Sequence, residues 1–342
     1  MREPVGIIGA GVAGLTCALE LVSRGVDVEI YERANDLGAH NCSWFAGGML
    51  APWCELDGST PLVASLGEES LAWWRFHVPG TTNNGTLVVA PDRDAAELTR
   101  FAKRTVRHSM LDSDAIGALE PELANRFRRG LLFADEGHLD PREALLHIVQ
   151  KLRAANATLK FGVATDVETL ANAAPSRWII DCTGLAARRH LRELRGVKGE
   201  MLLLRSGEVS LSRPVRLLHP RIPVYVVPRA NGVFMVGATM IESDDRERIS
   251  ARSMLELLSA AYALHPAFGE AEIVEIGTQV RPAFDDNLPR IVRSGRTLYV
   301  NGLYRHGFCV APALARRAAE VILHDRSFPE VMHEDSRERR LA

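Results

Sequence analysis

The stretch Pro4-Val5-Gly6-Ile7-Ile8-Gly9-Ala10-Gly11-Val12-Ala13-Gly14-Leu15, with its continuation to Glu32, decides the fold. Pro4 to Ile8 is a short apolar run, and a Gly-x-Gly-x-x-Gly turn follows it at once. From Ala13 to Val22 the apolar residues Leu15, Ala18, Leu19 and Val22 recur at helical spacing. Arg24-Gly25 ends that helix, and Val26 to Tyr31 reads as a second strand closed by Glu32. Each part has a physical use. Gly9 makes the tight turn, Gly11 lets a pyrophosphate approach the backbone, and Gly14 lets helix and strand pack closely. The helix start at Ala13 offers unpaired N–H groups and a positive dipole end to phosphates. Glu32 is placed to accept a ribose hydroxyl. These residues predict a dinucleotide site. Glu32 would repel a 2′-phosphate, which argues against NADP, although Arg33 beside it weakens that argument. NAD and FAD stay open on this stretch alone.

At 342 residues, the chain can form one large domain or two interleaved ones around a substantial core. Hydrophobic content of 46% and charged content of 25% are ordinary for a globular protein. A formal net charge of −2 gives no sign of a nucleic-acid or anionic-membrane partner. No apolar run approaches the ~20 residues that span a bilayer. The fingerprint starts within a few residues of Met1, which leaves no room for a signal peptide. Cys17, Cys42, Cys54, Cys182 and Cys309 fit neither a disulfide framework nor a zinc site. A cytoplasmic, reduced protein without a metal is the expectation.

Beyond Glu32, Cys42-Ser43-Trp44-Phe45-Ala46-Gly47-Gly48-Met49-Leu50-Ala51-Pro52 lacks strand alternation. Its paired glycines suit backbone held against something flat, or equally a buried loop. Helices are predicted over Ser65–His77, Asp94–Met110, Ala115–Leu119 and Arg142–Asn156. His138, in the loop before the last of these, receives no role. Trp178 to Gly184 reads as a buried strand whose small end, Thr183-Gly184, returns to the cofactor, since ligands sit beyond such strand ends. From Val197 the chain turns β-rich. Asn231-Gly232 signals a hairpin, with Val224 and Val226 on one face and Tyr225 and Val227 on the other. Arg281, after a strand over Glu272–Val280, is forced into extended backbone by Pro282. A last strand over Thr297–Gly302 leads to a helix expected to start near Ala311-Pro312. The tail after Pro329 is expected to fray.

Four separated segments, in order, resemble the D-amino-acid oxidase superfamily of FAD enzymes, and within it the glycine oxidases of thiamine biosynthesis. They are Gly9–Gly14 with Glu32-Arg33, then Gly48-Met49-Leu50-Ala51-Pro52, then Val280-Arg281-Pro282-x-x-Asp285-x-x-Leu288-Pro289, and finally Gly302-x-Tyr304-Arg305-x-Gly307. The resemblance implies a doubly wound, Rossmann-like FAD domain of the glutathione-reductase type, with a second, β-rich substrate domain. The FAD part would comprise residues 1–80, 140–197 and 278–342, the substrate part 81–139 and 198–277. Ser43, Gly48 and Met49 would lie beside the flavin, with Arg305 and Gly307 in its last binding motif. Arg281 would grip the substrate carboxylate, because a planar guanidinium matches a carboxylate through two parallel hydrogen bonds. Tyr225 would add a hydroxyl, Met240 would line the pocket, and Arg305 would stand at its edge. Related sarcosine oxidases attach flavin to a cysteine after the Arg-Pro pair. Ala283-Phe284 stands there instead, which implies non-covalent FAD.

The implied reaction is oxidation of a small amino acid, glycine first, to its imine and so to glyoxylate. O₂ would accept the electrons as hydrogen peroxide, and the imine would feed the thiamine thiazole. D-Amino acids, sarcosine or proline are alternative substrates. A second class is an FAD oxidoreductase of modified tRNA, against which the lack of basic excess argues. A flavin-bound redox sensor is a third. A homo-oligomer is left open.

Overall fold

A computed structural model of the chain describes residues 3–220 and 223–334. The chain opens with β1 (Val5–Ile8), α1 (Val12–Ser23), β2 (Val28–Glu32), β3 (Met49–Leu50) and α2 (Pro61–His77). There follow β4 (Thr86–Val89), α3 (Ala95–Arg104), β5 (Ser109–Asp112), α4 (Ser113–Leu119), β6 (Arg129–Phe133) and β7 (Gly137–His138). Next come α5 (Pro141–Ala154), β8 (Thr158–Phe161), α6 (Val167–Ala173), β9 (Ile179–Asp181), β10 (Arg195–Arg205) and β11 (Val215–Leu217). Then come β12 (Val224–Pro228), β13 (Val233–Gly237), β14 (Ile241–Glu242), α7 (Ala251–Leu264) and β15 (Glu272–Ala283). The described chain closes with β16 (Arg290–Ser294), β17 (Thr297–Asn301), α8 (Gly307–His324) and β18 (Met332–Glu334).

One sheet has the order β18-β16-β17-β9-β1-β2-β8, and β17, β9, β1, β2 and β8 run parallel. The central parallel strand β1 is apolar and buried on both sides. Val5 and Ile7 of β1 join the core under α1, α5 and α8, while Ile8 joins a second core with Val167 and Leu170 of α6. A parallel sheet covered on both faces needs this pattern. Its strand ends bring Gly9, Glu32, Cys182 and Gly302 to one edge, where ligands of doubly wound folds lie.

The second sheet is largely antiparallel, in the order β14-β10-β13-β12-β11-β4-β6-β5, with β15 on the other edge of β10. The predicted hairpin is present: Tyr225 pairs with Gly237, and Asn231 takes φ 59° in the turn. Val224 and Val226 face the core that includes Leu257 of α7. Tyr225 and Val227 face the other way, with Met201 and Met235, toward Phe45 and Met49. The alternation therefore turns one face of this sheet onto the Cys42–Pro52 segment. That segment folds as a 3₁₀ turn (Cys42–Phe45) and then β3, which pairs with β7.

Four expectations are corrected. The helix over Asp94–Met110 stops at Arg104, because Arg107 takes φ 60° and Ser109–Asp112 pairs with β6. Arg281 lies inside β15 and not after it, opposite Val197. The last helix begins at Gly307, so Pro312 sits in its second turn. There it leaves the Phe308 carbonyl without its usual N–H partner, and Trp74 Nε1 of α2 donates to that oxygen instead, at 2.6 Å. The tail expected to fray after Pro329 contributes β18, which pairs with β16. The rest of that tail, from 335, lies outside the described residues.

Candidate active site

A cavity of about 760 Å³ runs along the parallel strand ends and under the second sheet. At its first end the glycine turn is built as the sequence requires. Gly9 has φ 98°, and a side chain there would strike the Cys182 carbonyl. A side chain at Gly14 would run into the Gly9 carbonyl, so Gly14 closes the helix onto the strand and does not line the cavity. Gly11, Ala13, Glu32 and Arg33 do line it. Glu32 is buried and accepts from Ala10 N at 2.9 Å and from Ala34 N at 3.1 Å. These bonds fix the carboxylate at the tip of β2.

Ser43 occupies a different place from the one the resemblance implied. Its hydroxyl accepts from Val12 N at 3.1 Å, which puts it at the start of α1, the phosphate end. The 3₁₀ turn causes this, with Asn41 Oδ1 accepting from Ser43 N at 2.9 Å. Gly47 and Gly48 follow directly beneath the second sheet. A side chain at Gly47 would hit the Tyr225 ring, and one at Gly48 (φ 71°) would hit the Leu139 carbonyl. Arg229 ties this strip down from outside, donating to the carbonyls of Gly47 at 2.7 Å and Leu139 at 2.9 Å. Burial lowers its pKa to about 10, with Asp140 opposing the shift.

Thr183 and Gly184 lie in the cavity wall beyond β9. The Thr183 hydroxyl donates back to Asp181 at 2.7 Å, so its proton is directed away from a ligand. Asn301, unremarked in the sequence, joins the two strand ends by donating to the Gly184 carbonyl at 2.9 Å and accepting from Gly302 N at 2.8 Å. Gly307, the first residue of α8, lines the same wall, so the N-terminus of an 18-residue helix points at the cavity.

At the far end stand Arg281, Tyr225, Met49, Met240 and Arg305. Arg281 Nη1 donates to the Thr239 carbonyl at 3.1 Å. Among the described residues no carboxylate lies within ion-pair distance of it. Arg305 differs: its Nε and Nη2 both reach Glu55 Oε2, at 2.8 and 2.6 Å. Glu55 Oε1 accepts from Arg216 at 2.8 Å, and His306 Nδ1 lies 3.1 Å from Oε2. Burial alone would raise the Glu55 pKa, but Arg305, Arg216 and His306 outweigh it and hold it well below the carboxylate range. Burial lowers that of His306. Met240 is 49% exposed, with its sulfur 3.4 Å from the Tyr304 hydroxyl. Met240 therefore forms the mouth of the cavity and not part of the core. Glu55, Arg216 and His306 escaped the sequence reading because they meet only in the fold.

The residues fit a dinucleotide flavin. The cavity volume lies within the usual range for ligand sites, glycines keep its floor free of side chains, and the N-termini of α1 and α8 both meet it at the same edge of the parallel sheet. The FAD dependent oxidoreductase (DAO) family matches residues 4–321. The chain belongs to this family. It is 54% identical over 323 residues to a Rhizobium etli protein named for a thiamine biosynthesis oxidoreductase, ThiO, covering 94% of this chain and 97% of that one. It is 26% identical to a glycine oxidase of Geobacillus kaustophilus over 94% of this chain and 93% of that protein. The crystal structure of a glycine oxidase from G. kaustophilus superposes with a TM-score of 0.79 at 23% identity, over 96% and 98% of the two chains. An iminodiacetate oxidase from Chelativorans superposes with 0.78 at 21% identity, over 97% and 100%.

This DAO-family protein is thus an FAD-dependent oxidoreductase. Gly9, Gly11, Ala13 and Ser43 would hold the pyrophosphate, Glu32 the ribose, and Gly48, Met49 and Gly307 the ring system. Among the described residues no helix is long and apolar enough to cross a membrane, and no cluster of His, Cys, Asp or Glu could hold a metal.

Proposed function

We propose that the protein oxidises glycine to its imine, which hydrolyses to glyoxylate unless the thiazole branch of thiamine synthesis takes it first. The single observation carrying this reading is an arginine, Arg281, which among the described residues donates to the Thr239 carbonyl and pairs with no carboxylate, in the wall of a cavity that Gly47 and Gly48 also line. FAD, when bound, supplies the two-electron oxidation by accepting hydride from the substrate Cα, with O₂ taking the electrons on as hydrogen peroxide.

The chain's own residues bind and orient. Arg281 would pair with the carboxylate through its unoccupied donors, and Tyr225, facing the same space, would add a hydroxyl. Holding the carboxylate at one point while Met49 and Tyr225 wall the sides favours a substrate with little or no side chain. Arg305 is engaged by Glu55 and would close the edge. Non-covalent FAD is the accompanying reading: Ala283 and Phe284 after the Arg-Pro pair are buried, without a thiol to attach it. A denatured chain that keeps its yellow colour would overturn that. Residues 1–80, 140–197 and 278–342 would form the FAD-binding part, and 81–139 with 198–277 the substrate part. The protein would work in the cytoplasm.

Anaerobic addition of glycine to the purified yellow protein tests the proposal. Bleaching by glycine, and more weakly by sarcosine, D-alanine or proline, is expected. A flavin that none of these amines bleaches would remove the oxidase reading.

A further inference from the structure

Glu136, in the turn between β6 and β7, is fully buried. Its Oε1 accepts from Trp53 N at 3.0 Å and Cys54 N at 2.8 Å, while Oε2 is buried without a hydrogen-bond partner. Those two N–H groups begin the 3₁₀ turn Cys54–Asp57, which carries Glu55 into the cavity wall. The Cys54 carbonyl accepts from Arg216 Nη1 at 3.2 Å, so Arg216 clamps the other side of this turn. The titratable and charged groups facing Glu136 are Cys54 on the turn, Arg216 on β11 and Cys309 on α8, with Thr86 on β4 beside them.

We propose that Glu136 is a positioning residue: it fixes the turn that holds Glu55 between Arg216 and Arg305, and its proton sets the net charge of the wall that a substrate carboxylate meets. The coupling rests on reading this end of the cavity as the carboxylate site, and not on Arg281 as the group that grips it. The guanidiniums of Arg216 and Arg305 against the ionised Glu55 leave these three groups one positive charge in excess while Glu136 is protonated. Beside them burial favours neutral His306, and Asp57 faces Arg104 at 3.8 Å. Loss of the Glu136 proton cancels that excess. Burial, opposed by the Cys54 N–H, Thr86 and Arg216, pushes this carboxyl up to about 7, so the change falls in the neutral range. Salt screens Arg216, Glu55 and Glu136 little, because these groups are largely buried, and screens the half-buried Arg305 more.

The test uses the FAD-loaded enzyme and acetate, a carboxylate with no amine to titrate, followed by the change in flavin absorbance. The acetate Kd of the wild type should rise roughly fivefold between about pH 6 and pH 8.5. Glu136→Gln keeps an acceptor for Trp53 and Cys54 and cannot ionise. It should bind acetate tightly throughout. A flat wild-type profile, or a rise that survives in Glu136→Gln, overturns the proposal, and the wild-type measurement stands even if the variant does not fold. Arg281→Ala separates the two readings. Lost acetate binding in it, with a flat wild-type profile, sinks the Glu136 coupling alone. Unchanged binding in it, with the rise still present in the wild type, sinks the Arg281 reading and leaves the coupling supported.

Discussion

The guanidinium of Arg281 lies over Gly199, in the space that a side chain at position 199 would fill. Arg281 pairs with Val197 across β10 and β15, so Gly199 is its diagonal neighbour on the same face. The glycine is there to let the arginine lie flat along the sheet. In Gly199→Ala the nearest atoms to the added methyl are those of the Arg281 guanidinium, the far end of a flexible side chain, so the fold should survive while the guanidinium moves. FAD content should be unchanged and KM for glycine should rise about tenfold, or roughly 1.4 kcal/mol. An unchanged KM would show that the position of Arg281 does not matter to the substrate.

Arg281→Ala should leave FAD bound and weaken amino-acid binding by on the order of 2–5 kcal/mol, the range for truncating one partner of a buried charge pair. Arg281→Lys should recover only part of the loss, because an ammonium cannot present two parallel donors to a carboxylate. Steady-state kinetics on flavin-loaded protein would decide. Full activity in either variant would take Arg281 out of the site.

Trp74→Phe addresses the join between α2 and α8. The indole N–H fills the gap that Pro312 leaves in α8, and its ring stacks on Phe308 at 5.5 Å. Phenylalanine keeps the apolar contact and leaves the Phe308 carbonyl buried without a donor, a loss of about 1–3 kcal/mol. Thermal melting should show a Tm lower by several degrees, with weaker flavin retention because α8 begins at the cavity wall. A Tm equal to wild type would mean that the carbonyl finds another partner.

The sequence shows the dinucleotide turn because backbone geometry dictates it locally. Gly9 needs φ 98°, Gly14 needs the absence of a side chain, and both demands fall within one short segment. The β12–β13 hairpin was legible for the same reason, through Asn231-Gly232 and strict alternation. Helix ends were read less well where polar patterns overlap. Ser109–Asp112 carries exposed side chains on both faces, so its strand character comes from pairing with β6 and leaves no apolar alternation to read. The substrate end was legible only as a resemblance around Arg281. Glu55, Arg216, Glu136 and Gly199 have no local signature. They acquire a role only when the second sheet folds over the strand ends of the first.

Acid should weaken the parallel sheet at Glu29, one strand in from its β8 edge. This carboxylate on β2 accepts from the Tyr31 hydroxyl at 2.7 Å and from Arg177 at 2.8 Å, with Lys160 at 3.3 Å. Burial works against ionisation, but these three donors outweigh it and hold its pKa at about 2. A carboxyl whose folded value lies below its unfolded one stabilises the fold above the unfolded value, near 4.5, and stops doing so as pH falls through the folded one. Its contribution should therefore be full at neutral pH and fade between about pH 4.5 and pH 2. Glu29→Gln should lose on the order of 2 kcal/mol at pH 7 and flatten the acid limb of the stability profile in that window. Urea titrations of both proteins at a series of acid pH values would show this. Parallel acid limbs would mean that Glu29 is as well paired in the unfolded chain as on β2.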